Sequence, residues 1–147
     1  MPEKKLLKVM FLCTANSCRS QMAEGIAGDL GKGVIEPYSA GLFAHYIQPK
    51  AIQVMREIGI DISDQKSEAI DNKFLKSMDI IITLCGHAEA SCPVTPSRIK
   101  RIHWPIKDPV SVSGTEEEIL DEFRRARDEI KAKIKGFISE IKGNEPT

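Results

Sequence analysis

Residues 6–12 read Leu-Leu-Lys-Val-Met-Phe-Leu, apolar except at Lys8, and the run stops directly at Cys13-Thr14. A short apolar run without polar alternation is the pattern of a strand buried on both faces. A strand covered on both faces belongs to layered α/β packing, with helices on either side of a sheet. The rest of the chain supplies those layers in alternation. From Ser17 onward, Met22, Ile26 and Leu30 recur at helical spacing, and Gly31 and Gly33 stop the helix. Residues 34–40 predict a second strand. Pro49 opens a second helix with Ile52, Met55 and Ile58 as its stripe and Gly59 as its end. Residues 71–76 predict a short helix, residues 78–84 a β-branched third strand ending at Cys85, and residues 98–104 a fourth strand.

Thr115 and Glu118 form a capping box that opens a last helix, with Ile119, Phe123, Ile130, Ile134, Phe137 and Ile141 on one side. Its other face alternates acidic and basic residues and reads as a solvated surface laced with (i, i+4) ion pairs. Residues 144–147 read as a frayed tail. No repeat, low-complexity tract or linker interrupts this order. The expectation is one three-layer α/β domain over residues 1–147, with a parallel sheet.

Charge narrows the function classes. The 21 Lys and Arg balance 21 Asp and Glu, so a diffuse basic surface for nucleic acid or anionic membrane is excluded. Any anion must be held locally. Residues 1–8 carry charge without an apolar core behind them, and no apolar stretch approaches a membrane span, so a cytoplasmic location is expected. There the four cysteines, Cys13, Cys18, Cys85 and Cys92, read as structural, metal-binding or catalytic thiols in preference to permanent bridges.

The loop after the first strand carries the chemistry. Cys13-Thr14-Ala15-Asn16-Ser17-Cys18-Arg19-Ser20 joins a buried strand to a helix, at the strand end where open α/β sheets bind ligands. If that backbone curls around a centre, its amides make an anion-binding concavity reinforced by the helix N-terminus. Arg19 can fork onto a tetrahedral oxyanion, and the same positive field favours Cys13 as a thiolate, a nucleophile beside its electrophile. The Ser20 hydroxyl is placed to hydrogen-bond Cys13. Asp108, before Pro109, is a candidate general acid, although Asp-Pro by itself is a common turn. Cys85 and Cys92 read either as structural thiols, as half of a zinc site with Cys13, Cys18 or His87, or as a redox pair.

Residues 13–24 resemble the active-site loop of low-molecular-weight protein tyrosine phosphatases and, more closely, of the arsenate reductases that share their fold. The resemblance continues through Tyr38-Ser39-Ala40-Gly41, Asp61-Ile62-Ser63, Thr83-Leu84-Cys85, His103-Trp104 and Asp108-Pro109. It implies a four-stranded parallel sheet of order 2-1-3-4, which places Cys85 near Cys13. It further implies reduction of arsenate to arsenite, with Cys13 as nucleophile, Asp108 as general acid, and Cys85 and Cys92 as a relay pair reset by thioredoxin. Residues Thr14 to Ser20, including Ala15, Asn16, Ser17, Cys18 and Arg19, would bind the oxyanion. Cys18 has no required role in this scheme and reads as packing.

The same resemblance suggests a potassium site at Asn16, Glu24, Ser39 and Glu68, with no organic cofactor. Glu68 is a longer acid than the Asp usual at that position. Ala15 replaces the glycine usual in the loop, so a positive φ there would be strained. Val110 and Ser111 follow Asp108-Pro109 where phosphatases of this fold carry aromatic residues, which argues against phosphotyrosine. A phosphatase acting on aryl or small phosphates is the alternative activity, and a non-catalytic anion sensor a third possibility. His45, His87 and His103 lack metal or triad spacing, with His45 expected to border the site. Trp104 reads as core or wall. A monomer is expected.

Overall fold

The computed structural model describes residues 5–143, so residues 1–4 and the predicted tail at 144–147 lie outside the described residues. Its strands are β1 (Leu7–Cys13), β2 (Ile35–Gly41), β3 (Ile80–Thr83) and β4 (Lys100–His103). They form one parallel sheet in the order β2-β1-β3-β4, flanked by helices. β1 is central and apolar on both faces, and Val9 to Cys13 are all buried. β2 is an edge strand and carries Pro37 opposite Val9, a position where a missing N–H costs least. β4 closes the other edge with exposed Lys100, Arg101 and His103, charge that discourages pairing with a foreign strand.

The helices are α1 (Arg19–Leu30), α2 (Pro49–Arg56), α3 (Asn72–Leu75), α4 (Gly86–Ser91) and α5 (Glu116–Gly143), with a short 3-10 turn at Pro109–Ser111. α5 packs against α1 and α2. The capping box forms as expected: Thr115 N–H donates to Glu118 Oε1 at 3.1 Å, and Glu118 N–H donates to Thr115 Oγ1 at 3.2 Å.

Three sequence expectations are corrected. The stripe of α2 is Ala51, Val54 and Met55, while Ile52 and Ile58 are only partly buried. The helix ends at Arg56, which leaves Ile58 in the turn closed by Gly59 at φ 78°. α4 is an element that the sequence does not predict, standing between the two cysteines Cys85 and Cys92. The charged face of α5 is also more than a solvated surface. Arg127 is buried, donating from Nη1 to the Val54 carbonyl and to Glu57 Oε1, both at 2.8 Å. Arg124 forks onto the same Glu57 carboxylate. Among the described residues no helix is long and apolar enough to cross a membrane.

Candidate active site

The loop between β1 and α1 has its carbonyls turned outward, each met by a donor from the surrounding chain. Thr14 C=O accepts from Leu42 N–H at 2.7 Å and Phe43 N–H at 3.3 Å, and Ser17 C=O accepts from Gln48 N–H at 2.8 Å. Ala15 C=O accepts from Ser67 Oγ at 3.1 Å, and Asn16 C=O accepts from Gln21 Nε2 at 2.9 Å. With the carbonyls held outside, the amides between them face the centre. Among the described residues, none of the N–H groups of Thr14 to Cys18 donates to a protein acceptor. The first amides of α1 have no intrahelical partner either, by the geometry of any helix start. The result is a ring of oriented donors at a helix N-terminus, the arrangement that binds a tetrahedral anion.

Gly41 is what lets the ring sit against the sheet. It pairs with Cys13 across β1 and β2, and a Cβ there would meet Asn16 N at 2.6 Å and the Thr14 and Phe43 carbonyl oxygens at 2.8 Å. The left-handed residue of the loop is Asn16, at φ 49°. The strain expected at Ala15 is therefore absent, because the loop makes its turn at a residue type that tolerates this conformation.

Cys13 lies at the floor, buried, with its Sγ 2.9 Å from Ser20 Oγ. A polarised chain orients that contact. Asn16 Oδ1 accepts from Glu68 N–H at 2.9 Å, which fixes the amide orientation, and Nδ2 donates to Ser20 Oγ at 2.7 Å. The Ser20 proton is thereby turned toward the sulfur. Asn16 and Ser20 thus stand behind the ring, while Thr14, Ala15, Ser17, Cys18 and Arg19 line a cavity of about 480 Å³ together with Cys13.

Arg19 is buried at the start of α1, donating from Nη1 to the Ile106 carbonyl at 2.8 Å, with Nη2 3.7 Å from Asp108 Oδ2. Asp108 borders the same cavity and uses Oδ1 to accept from Val110 N–H at 2.9 Å. Its second carboxylate oxygen faces Arg19. Cys18 is buried, and burial pushes its thiol far above the ordinary range, which keeps it an inert, neutral side chain at the N-cap of α1.

Cys85 and Cys92 sit at opposite ends of α4. Cys85 is the N-cap, its Sγ accepting from Ala88 N–H at 3.3 Å and lying 3.3 Å from Thr14 Oγ1, at the rim of the loop. Cys92 is the C-cap and half-buried; burial raises its pKa, opposed by Arg101. The two are separated by about 10 Å of helix rise, more than a disulfide spans. Among the described residues no cluster of three or more His, Cys, Asp or Glu is gathered for a metal.

Glu24, Ser39 and Glu68 line a separate cavity of about 180 Å³ under the loop. Ser39 Oγ donates to Glu24 Oε1 at 2.6 Å. Desolvation raises the Glu24 pKa, the Ser39 bond opposes it, and the Glu68 charge adds to it. Asn16 does not line this cavity, and its Oδ1 is taken by the Glu68 and Gln21 N–H groups.

Sequence reasoning missed the outer wall of the oxyanion cavity. Phe43, Gln48 and His87 line it along with the expected His45 and with Val110. Phe43 had a signal, since it follows the second strand at the same sheet end as His45. The carbonyl clamps from Ser67, Gln21 and the Leu42, Phe43 and Gln48 amides had none, because they depend on backbone geometry. Trp104 is half-buried and meets Phe137 edge-on, with ring centroids 5.8 Å apart.

Comparison with known proteins agrees with this geometry. The family model for low-molecular-weight phosphotyrosine protein phosphatases matches residues 8–146. A protein named arsenate reductase from Halalkalibacterium halodurans is 51% identical over 129 residues, covering 88% of this chain and 93% of that one. A solved arsenate reductase in a phosphate-binding state is 40% identical, with a TM-score of 0.74, and covers 92% of this chain and 99% of that one. A low-molecular-weight protein tyrosine phosphatase from T. tengcongensis is 28% identical, with the same TM-score of 0.74 and coverage of 91% and 99%.

Proposed function

The chain belongs to the low-molecular-weight phosphotyrosine protein phosphatase family, and from that premise we propose that it reduces arsenate to arsenite through Cys13, Cys85 and Cys92. The observation that carries this reading is the ring of inward amides around a buried thiol, with a second thiol at its rim and a third at the far end of the adjoining helix. A phosphatase needs the ring, Cys13 and an acid; only an oxidoreductase needs the other two sulfurs.

Arsenate sits in the ring, held by the amides of Thr14 to Ser20 and by Arg19, whose anchor on Ile106 fixes its fork before substrate arrives. The Cys13 thiolate, stabilised by the Ser20 proton, attacks arsenic. A sulfur–arsenic bond forms, and one oxygen departs as water after protonation by Asp108. Cys85 then attacks Cys13 Sγ. The sulfur–sulfur bond forms as the sulfur–arsenic bond breaks, its electron pair reduces As(V) to As(III), and arsenite leaves.

Cys92 attacks Cys85 next, which frees Cys13 and leaves a Cys85 to Cys92 disulfide. That step requires α4 to unwind, since the two thiols cap its opposite ends. Unwinding also takes Cys92 out of the burial that raises its pKa. The disulfide then lies on a mobile segment, where a dithiol reductant of the thioredoxin class can reach it.

Glu24, Ser39 and Glu68 fit a monovalent cation, because two carboxylates and a hydroxyl share one small cavity. Potassium held there would supply charge compensation beneath the loop. These residues by themselves hold Ser39 on Glu24, and through the Glu68 backbone they hold Asn16. The cation is tested by thermal midpoint in potassium against choline chloride, with Glu24→Gln expected to remove the difference.

The function is tested by arsenite formation with thioredoxin, thioredoxin reductase and NADPH, and by mass mapping of trapped disulfides. Cys92→Ser is expected to stall after one turnover with a Cys13 to Cys85 bond; turnover at the wild-type rate would overturn the relay. A second reading, an aryl phosphatase, draws on the exposed Phe43 ring and Val110 at the cavity mouth. Aryl phosphate turnover unaffected by Cys85→Ser, without arsenite production by the parent, would favour it.

A further inference from the structure

A helix of six residues does not hold itself together in water, so α4 depends on its ties to the sheet. Ala88 is fully buried beneath it, and Cys85 caps its first turn. Arg101 on β4 donates to the Pro93 carbonyl just past the helix end, and a further tie is a side-chain bond to its last turn. Thr83 Oγ1, at the end of β3, donates to Glu89 Oε2 and lies 2.8 Å from His103 Nδ1 on β4. The proton inventory sets the directions. Thr83 has one hydroxyl proton and a carboxylate only accepts, so that proton serves Glu89, and His103 donates Nδ1–H to Thr83. Glu89 Oε2 is itself 3.8 Å from His103 Nδ1. Thr83 is 1% exposed, and the other acceptor near its hydroxyl is the Ile102 carbonyl at a longer 3.4 Å. Releasing Glu89 therefore turns the buried hydroxyl to the longer Ile102 contact or to His103 Nδ1 in its other tautomer, and the charge-assisted bond given up favours the closed helix.

We propose that Glu89 is a positioning residue that latches α4 closed through Thr83 and His103, and that its release gates the passage of oxidation from Cys85 to Cys92. The inference rests on the three-cysteine relay proposed above. Because those cysteines cap the two ends of α4, joining them unwinds the turn that carries Glu89 and draws it away from Thr83. While the latch holds, Cys85 stays at the rim of the oxyanion loop beside Thr14, ready for its attack on Cys13. Opening the latch serves only the later step.

Hydrogen exchange and thiol alkylation on the reduced full-length protein test the latch without any turnover. In Glu89→Ala, amide exchange across residues 86–92 and alkylation of Cys92 are expected to rise about tenfold, the scale of one charge-assisted hydrogen bond. Intrinsic helix propensity predicts the opposite sign, since Ala is the better helix former. Glu89→Gln, which still accepts from Thr83, is expected to fall between the two, and Thr83→Val to match Glu89→Ala. Exchange and alkylation unchanged or slowed in Glu89→Ala would overturn the latch. In a single turnover with arsenate, Glu89→Ala is expected to form the Cys85 to Cys92 disulfide faster while the Cys13 to Cys85 step keeps its rate. A wild-type chain that never forms the Cys85 to Cys92 bond would overturn the relay and the gate with it. A bond formed at one rate in both chains would overturn the gate alone.

Discussion

Asn16 combines a left-handed backbone with a fully committed amide: Oδ1 receives Glu68 and Gln21 N–H groups, and Nδ2 serves Ser20. Asn16→Asp separates these contributions. Asp tolerates the same backbone and still accepts at Oδ1, but its second oxygen can only accept, so it draws the Ser20 proton off Cys13. Alkylation of Cys13 by iodoacetamide is expected to slow by about tenfold; an unchanged rate would contradict the polarised chain. Cys18 predicts the contrary pattern. Its thiol is buried and pushed upward in pKa, so alkylation of the folded protein should leave it unlabelled. Cys18→Ala should keep oxyanion binding while losing about 1 kcal/mol of stability to the small void, measurable by urea unfolding.

At the scale of elements, the β1–loop–α1 unit depends on how closely β2 approaches it. A Cβ at Gly41 would press on three backbone atoms of the loop and its neighbours at 2.6 to 2.8 Å. None of these is a flexible side chain that can turn aside. Gly41→Ala is expected to destabilise the fold by about 1–3 kcal/mol and to weaken phosphate binding, read by calorimetry; retention of full affinity would show that the loop adjusts freely.

The elements legible in the sequence were those whose burial pattern is long or two-sided. β1, β3 and α5 fall close to their expected positions, and the strand order follows the resemblance carried by the loop motif. α4 was illegible because Gly-His-Ala-Glu-Ala-Ser has one buried residue, Ala88, and no apolar period. Its ties run through the buried Ala88, the Cys85 cap and the contact of Glu89 with Thr83, none of which leaves an apolar period in the sequence. In α2 the small Ala51 is buried more deeply than Ile52, a choice made by how α5 lies across the helix and not by hydrophobicity. Site residues presented as side chains on the loop were readable; the carbonyl clamps that aim its amides were not, since any residue has a carbonyl.

Across the whole molecule, balanced charge means that anion recognition, under the proposed function, falls to one ring of amides and one guanidinium, while the other charges serve architecture. The Glu57 carboxylate shows this use. It follows α2, receives Arg124 and Arg127 from α5, and joins the two helices. Those hydrogen bonds, Arg124 first, hold its carboxyl down at about 2, below the ordinary 4.5. A carboxyl depressed in the folded state contributes its stability in full above the unfolded value, and loses it as pH falls through the folded one. The contribution should therefore be complete above pH 4.5 and fade toward about pH 2. Glu57 is 35% exposed and Arg124 26%, so solvent screening limits the net effect to about 1 kcal/mol. Urea unfolding of wild type and Glu57→Gln should differ by that amount near neutrality and converge in acid. A gap that persists or widens at low pH would mean that the carboxylate charge is not what ties α5 to α2.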